Sequence, residues 1–254
     1  MKKIILILIF LLIPGICWGG NFSGISFASA DNFLFDVVTT QTVAGLFSTT
    51  APVTVDWGDG TSDTYNGTDQ AYSHDYGDAV GTRTAIMSPA SALTKYTMTT
   101  AGANVQFALS DLPSGLTYFY CTGSNTISGA LSDLPSGITF FRCYGSNTIS
   151  GALSGLPSGV TTFQCYGSNT ISGALSDLPS GLTYFYCTGS NTISGALSDL
   201  PSGITFFRCY GSNTISGALS GLPSGVTTFQ CYGSNTISGA LSDLPSGLTY
   251  FYCT

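Results

Sequence analysis

From Ala108 onward the chain repeats itself every 22 residues, and this period constrains the fold more than any other property of the sequence. Ala108, Ala130, Ala152, Ala174, Ala196, Ala218 and Ala240 mark one register. Three variant units fill residues 108–173, residues 174–239 repeat them letter for letter, and residues 240–254 begin a third copy. A unit this short cannot bury its own apolar side, so successive units must stack and cover one another as a solenoid.

One unit reads Leu116-Thr117-Tyr118-Phe119-Tyr120-Cys121, then Thr-Gly-Ser-Asn-Thr-Ile-Ser-Gly-Ala-Leu-Ser-Asp-Leu-Pro-Ser-Gly. Aromatic residues, Thr and Cys suit a pleated, half-buried strand. Side chains alternate along a strand, so Phe119 and Cys121 face inward while Tyr118 and Tyr120 face out. Gly123 and the Pro-Ser-Gly phrase supply turns. Strands of successive units then stack in parallel, about 4.8 Å apart. No unit carries a helical period, so the return path is expected to be short strands, turns or 3₁₀ pieces. Residues 93–107 read as an irregular first unit: Leu93, Tyr96 and Met98 imitate the spacing of Leu116, Phe119 and Cys121, and Val105 and Leu109 continue the core. The chain stops just after Cys253, within a strand, so a longer parent protein is expected.

These letters resemble the leucine-rich-repeat family over residues 93–254. Leu116, Phe119 and Cys121 stand where that family has LxxLxL, Asn125 where it has its Asn, and Ile127 where it has the following Leu. Ile127-Ser128-Gly129 echoes the Leu-Ser-Gly of plant-type members, and Leu134-Pro135 the Leu-Pro of short bacterial ones. Here three residues, not two, separate the Cys and Asn positions, which departs from the family's turn.

Residues 20–90 have no helical period and read as a small β-sandwich. Phe33-Leu34-Phe35, Pro52-Val53-Thr54-Val55 and Arg83-Thr84-Ala85-Ile86 are strand-like, and Asp59-Gly60 after alternating apolar residues marks a hairpin. Val55-Asp56-Trp57-Gly58-Asp59-Gly60, with Tyr72-Ser73-His74-Asp75-Tyr76 further on, resembles the PKD-type immunoglobulin-like domain. The resemblance implies a spacer or binding module on an exported protein. The expected fold is therefore mainly β: a PKD-like sandwich followed by a leucine-rich-repeat solenoid with a parallel sheet and little helix.

Ahead of the sandwich, Lys2-Lys3, an apolar run from Ile4 to Ile13, Pro14-Gly15 and then Gly19-Gly20 have the order of a secretory signal peptide ending near residue 19. The run is too short to span a membrane. Lipidation of Cys17 is the rival reading, and Ile16 occupies the place where bacterial lipoproteins carry a small residue. The short basic start looks bacterial, so the sequons at Asn21 and Asn66 carry little weight. A secreted or cell-surface location follows, with no transmembrane span.

Composition narrows the chemistry. Charged residues are 7% of the chain, its thirteen acidic residues are all Asp, and His74 is its one imidazole. Such a chain has little material for acid–base catalysis, and the repeats hold no Ser–His–Asp set, so no enzyme is expected. A net charge of −7 argues against nucleic acid, which needs Lys and Arg on its phosphates. Asp56, Asp59, Asp63, Asp69, Asp75 and Asp78 cluster in loops, and the first three are the weak candidates for calcium; turn formation is the competing reading. No other cofactor or metal is expected.

Two columns look structural. Cys121, Cys143, Cys165, Cys187, Cys209, Cys231 and Cys253 form a straight ladder. Parallel Cβ vectors about 4.8 Å apart miss the roughly 3.5–4.5 Å of a disulfide, so buried thiols are expected. Asn125 and its equivalents to Asn235 form a second ladder, whose amides must be satisfied by turn backbone. The outer strand face varies most between units, while the core positions stay apolar. It carries Tyr118 and Tyr120, Phe140 and Arg142, Thr162 and Gln164, and again Tyr184, Tyr186, Phe206, Arg208, Thr228 and Gln230, then Tyr250 and Tyr252. Aromatic residues with Arg are typical of interface hot spots. The candidate ligand-binding set is Tyr118, Tyr120, Phe140, Arg142, Tyr184, Tyr186, Phe206 and Arg208, facing a protein or glycan at a cell surface. The rival is an ice- or crystal-surface binder built on Thr126 and Ser128 and their equivalents, whose hydroxyls would stand outward in two columns.

Overall fold

Each repeat makes one turn of a β-solenoid, and the path follows from where its apolar and small residues fall. The computed structural model describes residues 31–38, 42–77, 81–99 and 105–254. The signal segment, Cys17, Asn21 and Asp78 lie outside them. The repeats form β9 (Tyr118–Ala130), β10 (Phe140–Ala152), β11 (Thr162–Ala174), β12 (Tyr184–Ala196), β13 (Phe206–Ala218), β14 (Thr228–Gly233), β15 (Thr236–Ser238) and β16 (Tyr250–Cys253). All pair in parallel with their neighbours. The strands are longer than the sequence led us to expect. After Cys121 the chain bends and continues as a second arm to Ala130, so each coil contributes to two sheets.

A one-turn 3₁₀ helix then reverses the chain, Leu131–Asp133 in the first complete coil. The Asp133 carboxylate accepts the Ala130 N–H at 3.0 Å, and the Pro135 carbonyl accepts the Ile138 N–H at 3.0 Å. No α-helix occurs among the described residues. Threonines at the return point tie each coil to the one before: the Thr139 hydroxyl donates to Thr117 O at 3.1 Å, and the series runs on to Thr249.

The core is a set of columns. Leu116, Phe119, Cys121, Ile127 and Leu131 are fully buried, as are their equivalents through Val226, Phe229 and Cys231 along most of the array. The phenylalanines stack 5.2–5.6 Å apart with ring planes within 14–21°. Burying each such ring stabilises the fold by roughly 1.5–3 kcal/mol.

The Asn column solves the corner. Asn147 accepts the Ile127 N–H of the preceding coil at 3.0 Å and donates to Tyr166 O of the following coil at 2.8 Å. Asn169, Asn191 and Asn213 repeat this bridging, and all are fully buried. The corner glycine is required there. Gly167 has φ +137°, and a Cβ would run into the Asn147 backbone of the coil beneath. Crossing this corner changes the register. Cys143 pairs with Cys165, 22 residues on, but Ser150 pairs with Thr170, 20 residues on.

The N-terminal part is antiparallel. One sheet holds β1 (Phe33–Val37), β3 (Val53–Asp56), β4 (Ser62–Tyr65) and β6 (Arg83–Ser88); the other holds β2 (Thr42–Thr49), β5 (Gln70–Asp75) and β7 (Leu93–Met98). Between them Trp57, Phe33, Phe47 and Tyr96 are fully buried. Both sheets run on into the solenoid. β7 pairs in parallel with the first arm of β9, setting Tyr96 beside Phe119 and Met98 beside Cys121. β8 (Val105–Ala108) pairs in parallel with the second arm of β9 and antiparallel with β1. One apolar core therefore passes from sandwich to repeats without a break. No helix of the described residues is long and apolar enough to cross a membrane.

Candidate binding face

The first arms of the coils present three outward columns, because alternation along each strand exposes every second residue. The first column runs Tyr118, Phe140, Thr162, Tyr184, Phe206, Thr228, Tyr250. The second runs Tyr120, Arg142, Gln164, Tyr186, Arg208, Gln230, Tyr252. The third runs Thr122, Tyr144, Tyr166, Thr188, Tyr210, Tyr232 and was missed in the sequence. Its signal was available: the residue after Cys alternates between Thr and Tyr, and the strand period puts it on the outer face.

The rings are ordered in pairs. Tyr118 stacks on Phe140 at 4.2 Å and Tyr184 on Phe206 at 4.3 Å, in planes 5–6° apart. Tyr144 stacks on Tyr166, and Tyr210 on Tyr232, both at 4.5 Å. Thr162 and Thr228 interrupt the first column, leaving a low point between one stacked pair and the next aromatic ring.

The guanidinium groups lie among these rings. Arg142 sits 5.9 Å from the Tyr120 centroid and 5.7 Å from that of Tyr144. Arg208 sits 5.4 Å from Tyr186, 5.7 Å from Phe206 and 6.0 Å from Tyr250. At the near end of the face Lys95 lies 4.9 Å from the Tyr118 centroid and pairs with Asp69 at 2.7 Å.

Not every expected contact residue is exposed. Tyr186 is buried, at 7%, and Gln164 and Gln230 at 1% and 3%. Tyr186 meets Tyr166 edge-on at 4.7 Å and lies 6.1 Å from Tyr210. Tyr120 has the same local sequence but follows the irregular first unit, which offers no such tyrosine, and it stays half-buried. Burial raises the Tyr186 phenol, and the hydrogen bond and charge of Tyr166 add to this. Burial likewise raises Tyr184, Tyr144 and Tyr210 against the opposing Arg142 or Arg208 charge, so these phenols remain neutral hydrogen-bond donors. Tyr118, Tyr120, Phe140, Arg142, Tyr184, Phe206 and Arg208 do share one partly exposed surface.

The rival hydroxyl surface lies on the second arms. Thr148, Thr170, Thr192 and Thr214 are exposed there. The two-residue shift sets Thr148 beside Ser128, so equivalent threonines are diagonal neighbours about 7–8 Å apart and the rows are oblique.

The carboxylates named for calcium serve separate local bonds. Asp56 accepts the Gly58 N–H at 2.9 Å, Asp63 accepts the Trp57 indole N–H at 2.8 Å, and Asp59 accepts from Thr61 and from His74 Nε2 at 2.8 Å. Among the described residues no three of His, Cys, Asp or Glu gather where they could hold a metal. His74 stacks on Trp57 at 4.5 Å and packs into the sandwich. The seven described cysteines are unbridged and buried, apart from a half-buried Cys253. Burial pushes the Cys143, Cys165, Cys187 and Cys209 thiols far up, which leaves them unreactive. No protein family matches this sequence, and no curated protein is found to be similar to it.

Proposed function

We propose that the chain is a non-enzymatic, exported binding or adhesion protein that meets a protein or glycan with the first-arm face of its solenoid. One observation carries the reading. On this face the units differ in sequence and the aromatic and Arg side chains gather, while the core columns beneath them hardly change. Stacked rings lose little freedom on binding, and Arg with Tyr supplies most hot-spot energy. The repeats are read as leucine-rich repeats, supported by burial of Leu116, Phe119, Cys121, Asn125 and Ile127 at the family's core letters. The sandwich is read as PKD-like, supported by the Trp57-Gly58-Asp59-Gly60 hairpin between β3 and β4. Secretion from a bacterial cell rests on the leader sequence alone.

The test uses protein and glycan arrays probed with the whole chain and with a Tyr118→Ser/Tyr184→Ser double variant. Both rings stand at the partly exposed front of the face, so the fold should survive. We expect binding to weaken by about tenfold or more. An unchanged array pattern would remove the face from consideration. Thermal hysteresis that depends on Thr148, Thr170 and Thr192 would instead assign function to the second arms.

A further inference from the structure

We propose that Arg142 and Arg208 anchor an acidic polysaccharide, their guanidinium groups taking its carboxylates while its pyranose rings lie against the Tyr118–Phe140 and Tyr184–Phe206 pairs. This rests on the reading of the first-arm face as the binding surface and adds the class of ligand.

Charge is sorted along the coil. Between residues 105 and 254 the cations are Arg142 and Arg208, both on this face. The anions of the same stretch, Asp111, Asp133, Asp177, Asp199 and Asp243, all lie at the 3₁₀ turns. Among the described residues the ion pairs are His74–Asp59 and Lys95–Asp69, so neither arginine is neutralised. A partly buried, ring-flanked guanidinium without a counter-ion favours an anion of planar, two-oxygen shape.

The two copies of the same sequence hold this group differently. In the first, Arg142 Nε donates to Gln164 Oε1, and Gln164 Nε2 donates to the Tyr144 hydroxyl at 3.1 Å. In the second, Arg208 Nε and Gln230 Oε1 are both buried without a partner, and Gln230 Nε2 donates to Tyr232 at 2.9 Å. Gln230 is 3% exposed. The cluster thus has two side-chain packings, and one leaves a donor and an acceptor unsatisfied together. In the first copy these two atoms satisfy each other; in the second, a ligand with an acceptor for Nε and a donor for Oε1 would satisfy both. A sugar acid has both, in its carboxylate and its hydroxyls, and its ring face can lie against the outer faces of Phe140 and Phe206, which the small Thr162 and Thr228 beside them leave uncovered. The equivalent sites are three strands apart, about 14 Å, so a polymer can engage both and gain by avidity.

The experiment measures binding of the whole chain to polygalacturonate, to the same polymer fully methyl-esterified, and to polyglutamate. These present ring and charge, ring alone, and charge alone. The variant is Arg142→Gln/Arg208→Gln; Gln already fills this position at 164 and 230, so the fold has a precedent for it. We expect polygalacturonate to bind best, to weaken as salt rises, and to lose about tenfold or more in the variant. Equal binding of the esterified polymer overturns the inference, since charge is then not read. Equal or better binding of polyglutamate overturns it in favour of an acidic polypeptide, and no binding by any of the three overturns it outright. Polygalacturonate binding that survives the arginine variant but fails in Tyr118→Ser/Tyr184→Ser removes the anchors and leaves the face. Binding that survives both variants removes the face as well.

Discussion

At the scale of single residues, the polar column holds the most consequential positions. Asn169 satisfies the buried Ile149 N–H and donates to Thr188 O, so Asn169→Ala leaves two interior backbone groups unmatched. At about 1–3 kcal/mol for each buried unsatisfied group, the variant should lose roughly 2–5 kcal/mol in a urea titration. The same change at Asn235, which is half-buried in this chain of 254 residues, should cost less than half as much. In the sandwich, Asp59 gives a pH dependence. Burial opposes its charged form, but hydrogen bonds from Thr61 and His74 outweigh it and hold the carboxyl below its usual value. A depressed carboxyl contributes stability above its unfolded pKa of about 3.9 and loses it as pH falls through the folded value. Thermal melts between pH 6 and pH 3, taken as about the range of interest, should therefore show a shallower acid loss in Asp59→Asn than in the parent. An identical acid limb in both would assign the effect elsewhere.

At the scale of the element, the coil was largely legible and its corner was not. Alternation placed Phe119 and Cys121 inside and Tyr118 outside because a strand leaves no other choice. The 3₁₀ return was foreseeable from Leu-Ser-Asp-Leu-Pro, too short for an α-helix. The second arm was hidden, since Thr126-Ile127-Ser128-Gly129-Ala130 is weak strand material that becomes strand by pairing with its neighbours in the stack. The two-residue register shift was equally invisible; it arises where the Asn and Gly of adjacent coils interlock. Phe163 and Thr162 test this division directly. Phe163→Ala should cost about 3–5 kcal/mol through the cavity it leaves in the ring stack, whereas Thr162→Ala on the outer face should stay within about 0.5 kcal/mol. Comparable losses at the two sites would mean that the outer column carries structural load.

At the scale of the whole molecule, a solenoid's stability is close to a sum over units and their interfaces. Removing residues 174–239 rejoins Gly173 to Ala240 with a junction identical to one already present. That deletion removes three units with their interfaces, so it should fold with a proportionally lower unfolding enthalpy, keep the Tyr118–Phe140 pair, and lose the avidity that a second copy supplies. Calorimetry of the deletion beside the parent checks the first expectation. An unfolding enthalpy left unchanged by the deletion would mean that these units do not add to the stability of the array. Removing residues 152–173 alone should also fold, but it sets Phe140 beside Tyr184 and Arg142 beside Tyr186 and so changes the outer face without touching the core.

The period of 22, the inward Phe and Cys columns, the parallel stacking and the variable outer positions followed from the sequence alone, because each depends on side-chain alternation and on a repeat that must cover itself. Three things were decided only in the tertiary structure. The spacing of Leu93, Tyr96 and Met98 foretold the first unit, but the pairing of β7 with β2 and of β8 with β1, which carries both sandwich sheets into the solenoid, leaves no local trace. Tyr186 is buried where its twin Tyr120 is not, because burial depends on the coil next door. The letter-identical Arg142–Gln164 and Arg208–Gln230 clusters pack in two ways, because long side chains on a crowded face settle against whatever rings their neighbours supply.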